Sequence, residues 1–150
     1  MKKLKLGDLA PTIECKNQDG KIIKLSNFLG KKVVIFFYPR ANTPGCTAQA
    51  CNLGENYNEF KKRGYVILGV SADNQKSQNN FSKKYKFPFD LCCDENKDII
   101  NDYGVWGLKK FRGNEYMGII RTTFIIDEEG KIEQIIDKVK TKEHSSQILL

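Results

Sequence analysis

The chain has 150 residues, 40% of them hydrophobic and 29% charged, which suits one domain (1–150) able to bury about two-thirds of its unfolded surface without a disulfide or metal. Its net charge of +7 comes from lysines spread in pairs, with no basic stretch interleaved with aromatics, so a solvated surface is expected and a nucleic-acid surface is not. The start, "MKKLKLGDLAPT", lacks an apolar h-region and nowhere do about eighteen apolar residues run together, so neither a signal peptide nor a membrane span is expected and the cytoplasm is the default address.

In chain order, strands are predicted at 12–15 (TIEC), 33–38 (VVIFFY), 65–70 (YVILGV), 90–93 (DLCC), 122–127 (TTFIID) and 131–136 (KIEQII). The runs at 33–38 and 65–70 are unbroken and apolar, as in central strands covered on both faces. Between them, Cys46, Ala50, Leu53, Tyr57 and Phe60 recur at helical spacing, which predicts one helix over 44–63 with this stripe facing the sheet. Gln49, Asn52, Glu55 and Asn56 then fall on its outer face, and "KKRG" closes it with basic residues and a C-cap glycine. Further on, "DEEG" joins the last two strands as an antiparallel hairpin, so the fold class is α/β with a central mixed sheet flanked by helices. The segment around Val105, Trp106 and Leu108 reads as a long loop. His144 lies among polar residues and reads as exposed, and "HSSQILL" is too short for an independent helix.

Five cysteines, an odd number, do not read as a disulfide scaffold in a chain without a secretory signal; core thiols, metal ligands and redox catalysts are the alternatives. Cys46 has the most distinctive position. Thr43-Pro44 is a helix-start signal, which puts Cys46 at the third helical residue, among unpaired backbone N–H groups at the positive end of the helix dipole, where thiolate is favoured over thiol. It also lies on the inward stripe, so its sulfur is recessed. Pro39 closes the preceding strand, at the carboxyl end where α/β proteins build their sites. Arg121 opens the strand at 122; if that strand runs antiparallel to 33–38, Arg121 begins beside Pro39 and Cys46 and stabilises a thiolate and a leaving oxygen. Cys15, Cys92 and Cys93 read as strand fillers, the last two pointing to opposite faces.

The pattern Pro39-x-x-x-Thr43-x-x-Cys46, together with "TPGCTAQAC", "YGVWG" and "GIIRTTFIIDEEGKI", resembles the peroxiredoxins over residues 5 to 140, most closely their bacterioferritin comigratory protein, or Q-type, branch. The resemblance implies a thioredoxin-like fold and reduction of hydrogen peroxide and organic hydroperoxides without metal, haem or flavin. It implies Cys46 as peroxidatic nucleophile, Thr43 as peroxide ligand, Pro39 as a shield against water, and Arg121 as the group holding thiolate and substrate. Thr43 then has two competing roles, helix cap and peroxide ligand. Thioredoxin is the implied reductant, with glutaredoxin second, and the segment around Trp106 is placed near the mouth of the site.

Resolution by Cys51 within the same chain is also implied, which favours a monomer. Five helical residues separate the two Cα atoms by about 8.6 Å on divergent faces, beyond the ~7 Å a disulfide tolerates. If Cys51 is the resolving thiol, residues 44–52 must unwind on oxidation. A zinc module built from Cys46, Cys51, Cys92 and Cys93 is a poorer fit, because zinc pairs sit on turns and these lie on regular elements. A non-catalytic basic binding protein is the other alternative.

Overall fold

The computed structural model describes residues 3–149. Its centre is a five-stranded sheet in the order β5-β4-β3-β8-β9, with β3 at Lys32–Phe37, β4 at Tyr65–Ser71, β5 at Asp90–Cys93, β8 at Thr122–Ile126 and β9 at Ile132–Ile136. β3, β4 and β5 are mutually parallel, whereas β8 runs antiparallel to both β3 and β9. The sheet is thus mixed, as the apolar runs and the "DEEG" hairpin predict.

Alternation along β3 divides the core. Val33, Ile35 and Phe37 pack on one face with Leu68, Val70 and Phe124, while Val34 and Phe36 pack on the other with Ile67, Leu91 and Ile125. β4 carries a glycine within its apolar run because Gly69 faces a crowded layer: a Cβ there would come 2.8 Å from both Leu91 and the Phe36 ring. The second face is covered by α1 (Pro44–Glu55), α2 (Tyr57–Lys62) and α3 (Gln75–Tyr85), and α4 (Asp98–Asp102) supplies Ile99 and Ile100 to the first.

The predicted helix 44–63 is two helices. The chain breaks at Asn56 (φ −102°, ψ 12°), whose side-chain amide donates to the Asn52 carbonyl at 2.8 Å, taking the acceptor that its own backbone N–H would use in a continuous helix. The predicted strand 12–15 is shorter, β1 at Glu14–Lys16, and pairs with β2 (Ile22–Lys24), which local periodicity does not reveal. The predicted loop around Trp106 is a β-ribbon, β6 (Trp106–Phe111) against β7 (Asn114–Ile119). Its strands leave Leu108, Phe111, Tyr116 and Met117 exposed, so the inside-outside alternation that betrays a strand is missing.

The tail is ordered and docked, with α5 at His144–Ile148. The Asn52 side chain on α1 accepts from the Ser145 backbone N–H at 2.7 Å and donates to the Lys142 carbonyl at 3.0 Å, and Ser145 Oγ donates to the Asn52 carbonyl. Tertiary hydrogen bonds replace the length that an isolated helix needs. His144 is fully buried rather than exposed; one ring nitrogen meets Thr123 Oγ1 and the other Gln147 Oε1, each at 2.8 Å.

Burial pushes the His144 pKa below its usual 6.5; the bond to Gln147 opposes this, and the Arg121 guanidinium adds a smaller push downward. The folded state therefore holds a neutral imidazole while the unfolded chain takes up a proton, so stability is complete above pH 6.5 and falls as pH drops towards the lowered folded value. Urea midpoints at pH 7.5 and 5.5 are expected to drop on acidification, and by less in His144→Gln. Equal drops in the two proteins would mean that other groups dominate.

Candidate active site

The site begins where β3 ends. Tyr38 continues the strand by donating its backbone N–H to the Val70 carbonyl at 3.1 Å, half-buried Pro39 follows, and a short loop leads into α1. Thr43 takes the N-cap position with extended backbone (φ −92°, ψ 157°) and Pro44 the first helical position, as the sequence predicts. Its side chain does not cap. The hydroxyl instead donates to the Arg40 carbonyl at 2.8 Å, which leaves the oxygen's lone pairs free to accept from a ligand. The side chain is thus turned to the loop's own carbonyl and not to the helix end.

Cys46, the third residue of α1, is 1% exposed. Its sulfur accepts from Arg121 Nη2 at 3.3 Å. This contact follows from strand register: Phe37 lies opposite Thr122 in the antiparallel β3–β8 pair, so Arg121, one residue earlier, falls at the end of β3 where the loop to α1 begins. The same guanidinium donates through Nη1 to Gln49 Oε1 at 2.6 Å. Gln49 is completely buried, not on the outer face of the helix as its place off the apolar stripe suggests. Sequence reasoning missed it, although its spacing of three from Cys46 was the available signal, since residues i and i+3 share a face. Gly45 leaves room for the guanidinium, since a Cβ there would come 3.2 Å from Nη2.

Lys109 of β6 donates to the Ile119 carbonyl at 2.9 Å. Burial lowers its pKa and Arg121 lowers it further, while Cys46 works in the opposite direction. Arg121 and the amino-terminal end of α1 thus meet at one recessed sulfur. That is an arrangement for holding a sulfur anion and an oxygen that gains negative charge.

The AhpC/TSA family profile matches residues 6–135. The chain belongs to the AhpC/TSA family. It is 44% identical over 149 residues to peroxiredoxin Bcp of Escherichia coli strain K12, covering 99% of this chain and 96% of that one. Identity to peroxiredoxin Bcp of Bacillus subtilis strain 168 is 41% over 146 residues, 97% and 93% of the two chains. Among solved structures, the bacterioferritin comigratory protein of Xanthomonas campestris superposes with a TM-score of 0.85 at 35% identity, over 91% of this chain and 87% of that one. PrxQ of Xylella fastidiosa reaches 0.91 at 26% identity, over 99% and 95%. The protein is therefore a peroxiredoxin of the Bcp type, a thiol peroxidase with the thioredoxin-like fold.

The remaining cysteines of this peroxiredoxin divide sharply. Cys51 is a free, half-buried thiol on α1, and burial, then Glu55, raises its pKa. Cys15 and Cys92, read from the sequence as strand fillers, form a disulfide between β1 and β5. Both belong to the core on the first face of the sheet, whereas Cys46 belongs to the second. The bond fastens the amino-terminal ribbon to the edge of the sheet, and it leaves Cys92 unavailable to a zinc cluster. Cys93, next in β5, is free and half-buried, with its pKa pushed up to about 11 by burial and by Glu95 and Asp73, so it is a poor nucleophile at neutral pH.

Proposed function

We propose that Cys46 is the peroxidatic residue, that Thr43, Pro39 and Arg121 shape its pocket, and that Cys51 resolves the product. The observation that carries this reading is the 3.3 Å contact from Arg121 to a fully recessed Cys46 sulfur at the start of α1. The thiolate attacks the terminal oxygen of a hydroperoxide; an S–O bond forms, the O–O bond breaks, and the leaving oxygen takes a proton to become water or an alcohol. Thr43 accepts from the peroxide O–H through the lone pairs left free by its bond to Arg40, and Arg121 steadies the departing oxygen. Cys51 then attacks the sulfenic sulfur, forming an S–S bond and releasing water. Hydrogen peroxide and organic hydroperoxides are the substrates, in keeping with the alkyl peroxide reduction described for the Xanthomonas campestris protein.

Both cysteines lie within the intact α1, so resolution requires its first turns to unwind. The Asn52 bonds to the tail mark where that unwinding meets resistance. Thioredoxin, with glutaredoxin second, returns the electrons to a monomeric protein, and the cytoplasm remains the expected compartment. Among the described residues no helix is long and apolar enough to cross a membrane.

Peroxide consumption coupled to thioredoxin and its reductase tests the division of labour. Cys51→Ser is expected to reduce one equivalent of peroxide at the normal rate and then to stall, while Cys46→Ser consumes none. Undiminished steady-state turnover in Cys51→Ser would remove Cys51 from the cycle.

A further inference from the structure

The loop that delivers Thr43 to the site is held from behind by a residue outside the Pro39, Thr43, Cys46 and Arg121 set. Asp73, just beyond the end of β4, accepts from the Ala41 backbone N–H through Oδ2 at 2.7 Å. The Arg40 carbonyl, which belongs to the same peptide unit, accepts from the Thr43 hydroxyl at 2.8 Å. That unit is trans, as no cis peptide occurs among the described residues, so its N–H and C=O are rigidly coplanar and point in opposite directions. Fixing the N–H fixes the C=O, and with it the direction in which the Thr43 hydroxyl donates and its lone pairs face.

Asp73 is itself clamped. Ser71 Oγ donates to Asp73 Oδ2 at 2.6 Å, and Gln78 Nε2 donates to Ser71 Oγ at 2.8 Å and to the Cys92 carbonyl at 3.1 Å. The Tyr38 hydroxyl donates to Gln78 Oε1. Tyr38, Ser71 and Gln78 are fully buried, and burial drives the Tyr38 pKa well upward, keeping its phenol a donor. A satisfied buried network of this kind is rigid, so the carboxylate is an anchor and not a mobile surface acid.

We propose that Asp73 is a positioning residue for peroxide reduction, orienting Thr43 through the Arg40–Ala41 peptide. This rests on the reading of Cys46 and Thr43 above. Asp73 touches neither the Cys46 sulfur nor Arg121 in the hydrogen-bond network, so its role is confined to the oxygen acceptor for substrate and does not extend to the nucleophile.

The test compares two reactions of Cys46 in a Cys51→Ser background, with product at Cys46 read by mass spectrometry. One is single-turnover reduction of hydrogen peroxide, which needs Thr43; the other is alkylation by iodoacetamide across pH, which needs only the thiolate. Asp73→Ala is expected to slow the peroxide reaction about tenfold to a hundredfold, the scale of a misplaced reacting group, with the alkylation rate and its pH profile unchanged. Asp73→Asn keeps an oxygen acceptor for Ala41 and is expected to recover most of the loss. If both reactions fall together, if neither changes, or if Asp73→Asn fails to recover, the proposal is overturned. Cys46→Ser, followed by loss of peroxide from solution, serves as a control: peroxide reduction surviving there would overturn the assignment of Cys46 itself, a separate failure.

Discussion

Replacing Arg121 by alanine is expected to slow the reaction of Cys46 with hydrogen peroxide by about 10²- to 10³-fold, the usual cost of removing one preorganised donor from a site of developing negative charge. The guanidinium meets the Cys46 sulfur through one nitrogen and Gln49 through the other, so it is held in place before substrate arrives. Gln49 is fully buried and its Nε2 already lacks a partner among the described residues; without Arg121 its oxygen is stranded too, and some stability is lost. Arg121→Lys is expected to be intermediate, because an ammonium keeps the charge but cannot span sulfur and amide with a rigid fork. Stopped-flow single turnovers give the rate, and thermal melts separate it from unfolding. A rate within twofold of wild type in folded Arg121→Ala would show that the contact plays no part in the reaction.

Breaking the Cys15–Cys92 bond is expected to have the largest effect on stability. The bond closes a loop across a sequence separation of 77, and the chain entropy it removes from the unfolded state is worth about 4 kcal/mol. For a domain of this size that corresponds to a fall in melting temperature of roughly 10 °C. The measurement uses Cys51→Ser, so that reductant cannot act through a Cys46–Cys51 bond, with and without dithiothreitol. Cys15→Ala in the same background is expected to melt at one temperature under both conditions. If dithiothreitol leaves the Cys51→Ser melt unmoved, the bond contributes nothing. Peroxide reduction by Cys46 is expected to survive reduction of this pair below the melting range, because the two sites lie on opposite faces of the sheet.

The contrast between what could and could not be read in advance follows the range of the forces involved. β3 and β4 announce themselves because strands covered on both faces must be apolar at every position, and Cys46 announces itself because a threonine, a proline and a helical stripe are all local signals. The β6–β7 ribbon gives no such signal: its exposed Leu108, Phe111 and Met117 follow neither the sheet nor the helix period. The break at Asn56 depends on one side chain choosing a carbonyl in the turn before it. His144 looked exposed because its neighbours in sequence are polar, yet Thr123, 21 residues earlier, supplies the partner that lets it be buried.

By itself, the amino-acid sequence determined the mixed α/β layering, the recessed position of Cys46 at a helix start, and the place of Arg121 at the head of a strand, since each depends on residues within a few turns of one another. Only the tertiary structure decided which distant groups meet: Arg121 and Cys46 across 75 residues, Cys15 and Cys92 across 77, and Asp73 and the Ala41 amide across 32. These pairings depend on strand order and register, which are set when a long loop closes and a whole apolar face finds its partner, and no local periodicity carries that information.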